Sequence, residues 1–200
     1  MKLTDIKQQV KRQDRYSIFV DGKYVFSFSE NELLNLHLKI GQEYTEQSLD
    51  ELKKNAIEDK AYMRTLDMLM RRSRSEWELR DYLKRKDYEQ DVTEKTIARL
   101  VRAGFVDDKK FATAWVENRR LLKATSKRKL QMELKQKRID SQIIDQVLSE
   151  DETDERDVLK DLIAKKSQQT RYQDPQKLMA YLMRQGFNYQ DVKDTLENHE

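Results

Sequence analysis

Two aromatic and β-branched runs, residues 14–20 and 23–28, flank Asp21-Gly22 near the start of the chain. That dipeptide accepts the positive φ angles of a two-residue turn, so the pattern predicts a β-hairpin. Leu3 to Val10 offers a third strand. Ser29 with Glu32 forms a capping box that opens a short helix through Leu33, Leu34 and Leu36. Gly41 ends that excursion, and Thr45 with Ser48 and Leu49 begins another helix. So small a sheet is expected to pack on its neighbour rather than fold alone.

From about residue 58 the apolar positions change to helical spacing, and the spacing repeats. Leu79, Leu83, Tyr88 and Ile97 stand at the same offsets as Leu130, Leu134, Ile139 and Leu148, and again as Leu178, Leu182, Phe187 and Leu196, at intervals of 51 and 48 residues. Phe111, Ala114 and Trp115 precede the second set as Leu159, Leu162 and Ile163 precede the third; Met63 and Leu66 fit the first with a slightly shorter connection. Each unit therefore reads as a leading helix, a middle helix bearing Leu-x-x-x-Leu and a trailing helix. Ser75 with Glu78, Asp91 with Glu94, and Asp174-Pro175 are start signals. Gly104-Phe105 and Gly186-Phe187 read as left-handed helix ends followed by an apolar anchor. The position before the anchor holds Asp87, Arg138 and Gly186 in the three units. If a left-handed residue is needed there, arginine is strained by about 1 kcal/mol.

The expected fold is mostly α: tandem three-helix repeats over 58–108, 109–150 and 151–200, after a β-containing module over 1–57. Units that bury one another's faces stack in series, so an elongated, curved array is expected.

Composition narrows the chemistry. The chain has 200 residues, 38% of them charged, with four glycines, one proline and no cysteine. It is rich in straight-chain helix formers, as the pattern requires. Without cysteine there is no thiolate nucleophile, disulfide or cysteine metal site. His37 and His199 are far apart in sequence and no glycine-rich phosphate loop exists, so neither a metal site, nor a histidine triad, nor any cofactor is expected. No apolar run suits a membrane span and the start lacks a signal-peptide core, which predicts a cytoplasmic protein and not an enzyme.

The net charge of +3 hides a gradient: −1 over 1–58, +1 over 59–108, +6 over 109–150 and −3 over 151–200. Arg119, Arg120, Lys123, Lys127, Arg128 and Lys129 follow one another without an intervening acid. On the helix bearing Leu130 and Leu134, a stripe of Arg128, Gln131, Lys135 and Arg138 turns away from the apolar pair, beside Met132. Its counterparts are Trp77, Arg80, Lys84 and Asp87 in the first unit, and Gln176, Met179, Met183 and Gly186 in the third. A basic middle suggests a polyanionic partner; a merely solvated helical face is the plainer reading. Trp115, four residues after Phe111, is expected in the core, whereas Trp77 either covers a neighbouring unit or stacks on a partner.

Residues Arg72 to Tyr88, Leu100 to Lys123 with its Gly104-Phe105-Val106-Asp107-Asp108-Lys109-Lys110-Phe111-Ala112 run, and Ser126 to Ile139 resemble three blocks of the RecX regulatory proteins. The likeness covers roughly 58–198, with the β segment similar to an N-terminal extension of longer members. Asp87 and Arg138 depart from the glycine usual in the family, and Ala124-Thr125 from a glycine-containing turn. The resemblance implies tandem three-helix units, each akin to a helix-turn-helix. It also implies binding in the groove of the RecA–DNA filament, inhibition of RecA's ATPase, strand exchange and coprotease activities, and so modulation of recombination, repair and the SOS response. The candidate partner-binding residues are Arg71, Arg72, Arg74, Lys84, Arg119, Arg120, Lys123, Lys127, Arg128, Lys135 and Arg138. RecA as a nucleoprotein filament is the expected partner, with direct contact to DNA open, and a monomer is expected. The alternative is a helix-turn-helix DNA-binding protein acting without RecA, reading bases with Asn118, Arg119 and Arg120.

Overall fold

The computed structural model describes residues 1–197, and the chain divides into two units, Met1–Val106 and Asp107 onward. In the first unit β1 (Leu3–Gln8), β2 (Arg15–Val20) and β3 (Lys23–Ser29) form an antiparallel sheet in that order. Val20 pairs with Lys23 across a turn whose Asp21 and Gly22 take φ of 48° and 77°. Both central residues are therefore left-handed, the geometry that asparagine, aspartate and glycine tolerate. Ser29 caps α1 (Glu30–Leu36) by accepting from the Glu32 amide, and Thr45 caps α2 (Glu46–Arg71) through Ser48. Leu3, Ile18, Val20, Phe26 and Phe28 of the sheet pack on Leu49, Leu52 and Ala56 of α2, which gives the sheet the core it could not build alone.

α2 runs unbroken for 26 residues. Its first half covers the sheet, and Ala61 in its second half joins the core of the first repeat with Leu79, Leu83, Ile97 and Leu100. The division placed after residue 57 falls inside this helix. A buried ion pair also fastens sheet to helix: Arg15 of β2 meets Asp59 at 3.2 Å, the two side chains 6% and 2% exposed. Asp59 further accepts from the Ser29 amide at 2.8 Å and the Ser29 hydroxyl at 2.6 Å.

The first repeat continues with α3 (Glu76–Arg85) and α4 (Gln90–Arg102). Ser75 and Glu78 make the reciprocal capping box expected of them. α4, however, starts two residues before the Asp91–Glu94 signal, at Glu89, which makes no side-chain cap. After α4, Gly104 is left-handed as expected, but Phe105 lies half exposed and the buried anchor is Val106.

The second unit holds two three-helix groups. α5 (Asp108–Leu122), α6 (Lys127–Gln136) and α7 (Ser141–Glu150) enclose Phe111, Val116, Leu130, Leu134, Ile139, Ile144 and Leu148. α8 (Glu155–Ser167), a single 3₁₀ turn (Thr170–Tyr172), α9 (Pro175–Arg184) and α10 (Tyr189–Glu197) enclose Leu159, Leu162, Leu178, Leu182, Phe187 and Val192.

All three middle helices end in the same way. The amides of Tyr88, Ile139 and Phe187 reach back five residues to Leu83, Leu134 and Leu182, and Asp87, Arg138 and Gly186 donate to Lys84, Lys135 and Met183. This is a Schellman ending, and it forces the intervening residue left-handed: φ is 57° at Asp87, 57° at Arg138 and 93° at Gly186. Glycine is required in the third repeat for a second reason: a Cβ there would lie 2.5 Å from Ser126 Oγ. Arg138 has no such neighbour to satisfy, only backbone strain. Arg138→Gly is therefore expected to stabilise the second unit by about 0.5–1 kcal/mol, the left-handed penalty less the extra chain entropy of glycine. A thermal melt showing no gain would remove the strain argument.

Candidate functional site

α6 opens against its own electrostatics. Lys127, Arg128 and Lys129 occupy its first turn, with no acid among them, where the helix presents its positive end. Each such cation at an exposed terminus costs about 0.3–1 kcal/mol. The helix start is held instead by neighbours. Ser126 accepts from the Lys129 amide at 3.1 Å and donates its hydroxyl to the Gln185 carbonyl at 2.6 Å. Glu155 of α8 accepts from the Lys127 amide at 2.8 Å.

Arg128, Lys135 and Arg138 are exposed and, among the described residues, make no ion pair or side-chain hydrogen bond, while Gln131 between them is half-buried. The face turned from Leu130 and Leu134 is thus a row of free cations. Lys127 and Arg128 also border a cleft of about 480 Å³ beside α8 and the α9–α10 turn, with Arg156, Met183, Phe187 and Tyr189. Lys123, at the end of α5, is exposed and unpaired too.

Arg119 and Arg120 have other work. Arg119 binds Glu133 at 2.7 Å and lies over the Trp115 ring, and Trp115 donates its indole N–H to the same Glu133 at 2.8 Å. Trp115 is consequently half-buried at the edge of the core, not enclosed by it. Arg120 is turned into the fold: it reaches Asp151 at 2.7 Å, Glu155 at 3.0 Å and the Thr125 carbonyl. Asp151 feels burial most, which raises its pKa, yet the hydrogen bonds from Thr153 and Arg120 outweigh it and hold the carboxyl below its ordinary value. Asn118 donates to the Ala114 carbonyl at 2.7 Å within its own helix. The three side chains suited to base reading are all engaged inside the unit.

In the first unit the positive residues are largely balanced. Arg80 joins Glu76 at 2.7 Å and Glu94 at 2.6 Å, and Arg72 joins Glu78 at 3.0 Å. Arg71 and Lys84 are exposed without ion-pair partners, and Trp77 is also exposed. Arg74 is half-buried with a partnerless Nε; burial first, then repulsion from Arg72 and Arg71, lowers its pKa against the pull of Glu78. The Arg71–Lys84 group and the α6 face belong to different units.

Sequence spacing gave no sign of Lys165, Lys166 and Tyr181 as neighbours of the basic segment. They lie on α8 and α9 of the acidic third repeat, yet they line one cavity with Arg119, Lys123 and Lys129. Among the described residues no group of histidine, cysteine, aspartate or glutamate could hold a metal ion, and no helix is long and apolar enough to cross a membrane. His37 ends α1 in a left-handed conformation with Nδ1 against the Leu34 carbonyl; His199 lies outside the described residues.

Comparison with known proteins gives a consistent result. Residues 1–45 match the regulatory protein RecX N-terminal domain, 61–100 the first RecX three-helix domain and 107–148 the second. A regulatory protein RecX from Bacillus velezensis is 32% identical over 203 residues, which span 99% of this chain and 77% of that one. The regulatory protein RecX of Listeria welshimeri is 34% identical over 152 residues, 75% of this chain but only 56% of the Listeria protein. Among solved structures, a crystal structure of regulatory protein RecX superposes with a TM-score of 0.73 at 27% identity, covering 96% of this chain and 98% of the other. RecX from Lactobacillus salivarius, at 21% identity and a TM-score of 0.59, shares the fold over 71% of this chain.

Proposed function

Because the chain belongs to the RecX family, we propose that it binds in the groove of the RecA–DNA filament and inhibits RecA's ATPase, strand exchange and coprotease activities. The observation that carries this reading is the succession of three RecX domains along the chain. The unpaired row of Arg128, Lys135 and Arg138 supports it, because free cations on a rigid helix suit phosphates or acidic protein surface. The acidic third repeat then meets a basic patch. In this reading the repeats over 58–108, 109–150 and 151–200 are the units that engage the filament. The protein acts as a cytoplasmic, monomeric regulator of recombination, repair and the SOS response, without a reaction of its own.

The test is DNA-stimulated ATP hydrolysis by RecA at fixed moderate salt, with this protein titrated in. Inhibition is expected well below one molecule per RecA monomer. Arg128→Ala, Lys135→Ala and Arg138→Ala together are expected to raise the half-inhibiting concentration about tenfold, a loss of ~1.4 kcal/mol, with helicity unchanged. Unchanged potency would remove this face from the interface. Inhibition only near stoichiometry, relieved by excess single-stranded DNA, would mean competition for DNA. No inhibition, with sequence-selective and steeply salt-dependent DNA binding, would favour a protein acting without RecA.

A further inference from the structure

A second cavity, of about 600 Å³, lies within the second unit between the end of α5, α6, α8 and α9. Its volume is in the range of small-molecule sites. Six cations line it against two acids, Glu133 and Asp161. Arg119 is satisfied by Glu133, and Arg120 by Asp151 and Glu155. What remains is four lysines facing a single carboxylate. Lys123 and Lys165 are exposed and have no ion pair or hydrogen bond of their own, Lys129 reaches only the neutral Gln185 side chain, and Lys166 only Gln169. The cavity is thus a concave positive site in which, among the described residues, Asp161 alone faces the four lysines.

Its remaining wall is apolar and aromatic. Leu121 and Leu122, 82% and 70% exposed, line it. Tyr181 lies 4.9 Å from Tyr172, with Lys166 Nζ 5.3 Å from the Tyr181 ring centre. Burial first, and then Tyr172, raises the pKa of the Tyr181 phenol, so it remains a neutral donor at physiological pH. A simple inorganic anion would use the lysines and leave this wall bare. A ligand that joins a phosphate chain to a planar apolar ring uses both.

We propose that this cavity binds a nucleotide, with its phosphates on Lys123, Lys129, Lys165 and Lys166 and its base against Leu122 and Tyr181. The nucleotide is a free nucleoside triphosphate, because four lysines gathered in one cavity match three linked phosphates rather than one phosphate per base. The site needs no recombinase, so it stands independently of the filament reading.

Calorimetric titration of the full-length protein with ATP, inorganic triphosphate and a ten-residue thymidine oligonucleotide tests it. Saturable binding of one ATP per protein is expected. Lys123→Ala with Lys165→Ala is expected to raise the dissociation constant at least tenfold. Lys177→Ala with Lys193→Ala, which removes the same charge from elsewhere in the unit, leaves it within twofold. Leu122→Ser weakens ATP more than triphosphate. These lysines are exposed and Leu122 is mostly so, hence the variants keep the wild-type circular dichroism. Absence of ATP binding, including the case in which only the oligonucleotide binds, an equal loss in the two double variants, or triphosphate binding as tight as that of ATP overturns the proposal.

Discussion

Asp59→Ala is expected to destabilise the first unit by about 3–5 kcal/mol, the loss typical of breaking a buried ion pair from one side. Three groups lose their partner at once. The Arg15 guanidinium, only 6% exposed, keeps just the Ser27 carbonyl and hydroxyl. The Ser29 amide and hydroxyl lose acceptors at 2.8 and 2.6 Å, at the residue where β3 passes into α1. A charge left in a dry interior costs more than the pair itself contributed, so the loss exceeds that of an ordinary hydrogen bond. Arg15→Met with Asp59→Leu is expected to recover only the share due to the unpaired guanidinium, since apolar residues can replace the ion pair but leave the Ser29 amide and hydroxyl without their acceptor. Hydrogen exchange resolved by peptide locates the effect. Protection should fall through β2, β3 and α2 in the single variant and return in part in the double one, least at Ser29, while α5–α10 keep theirs. A single variant as stable as the wild type would mean the pair is not desolvated.

That pair shows where sequence reading stops. The hairpin turn, the Ser29, Thr45 and Ser75 caps and the apolar repeat spacing were legible because each signal lies within one or two turns of the chain. The left-handed ends at Asp87 and Arg138 were legible too, through their alignment with Gly186. Arg15 and Asp59 lie on different elements, and nothing local marks either as buried. Charge misleads for the same reason. Arg119 and Arg120 sit in a segment without an intervening acid, but Glu133, Asp151 and Glu155 arrive from other helices and neutralise them. Lys165 and Lys166, in a net acidic segment, stand beside the basic one. Linear charge density therefore located the positive region of the second unit but not which of its cations are free. Phe105 and Val106 differ by one residue, a step smaller than the precision with which a helix end can be read.

Arg120→Ala is expected to separate a fold residue from a binding residue. Arg120 and Asp151 are 9% and 8% exposed, and Arg120 also holds Glu155, which caps α6 through the Lys127 amide. Removing it leaves a desolvated carboxylate and frees the helix start that carries the cationic face, a loss of about 3–5 kcal/mol in the second unit. Arg120→Lys should recover little, because one ammonium cannot reproduce the planar fork that meets two carboxylates and a carbonyl together. The pH dependence carries the signature. Asp151 has a folded pKa below its ordinary value, so its stabilising contribution is complete above that value and is lost as pH falls through the folded pKa. In Arg120→Ala burial still raises the pKa and only the Thr153 hydrogen bonds oppose it, so the orphaned carboxyl protonates at a higher pH than in the wild type. The unfolded chains titrate alike, so the stability gap between variant and wild type is widest near neutrality and narrows below about pH 4, as the pH falls toward the lowered pKa of wild-type Asp151. Urea unfolding followed by Trp115 fluorescence, in a Trp77→Phe background that leaves the second unit as sole reporter, measures the gap at both pH values. If Arg120 served only to touch a partner, its removal would leave both unfolding curves unchanged.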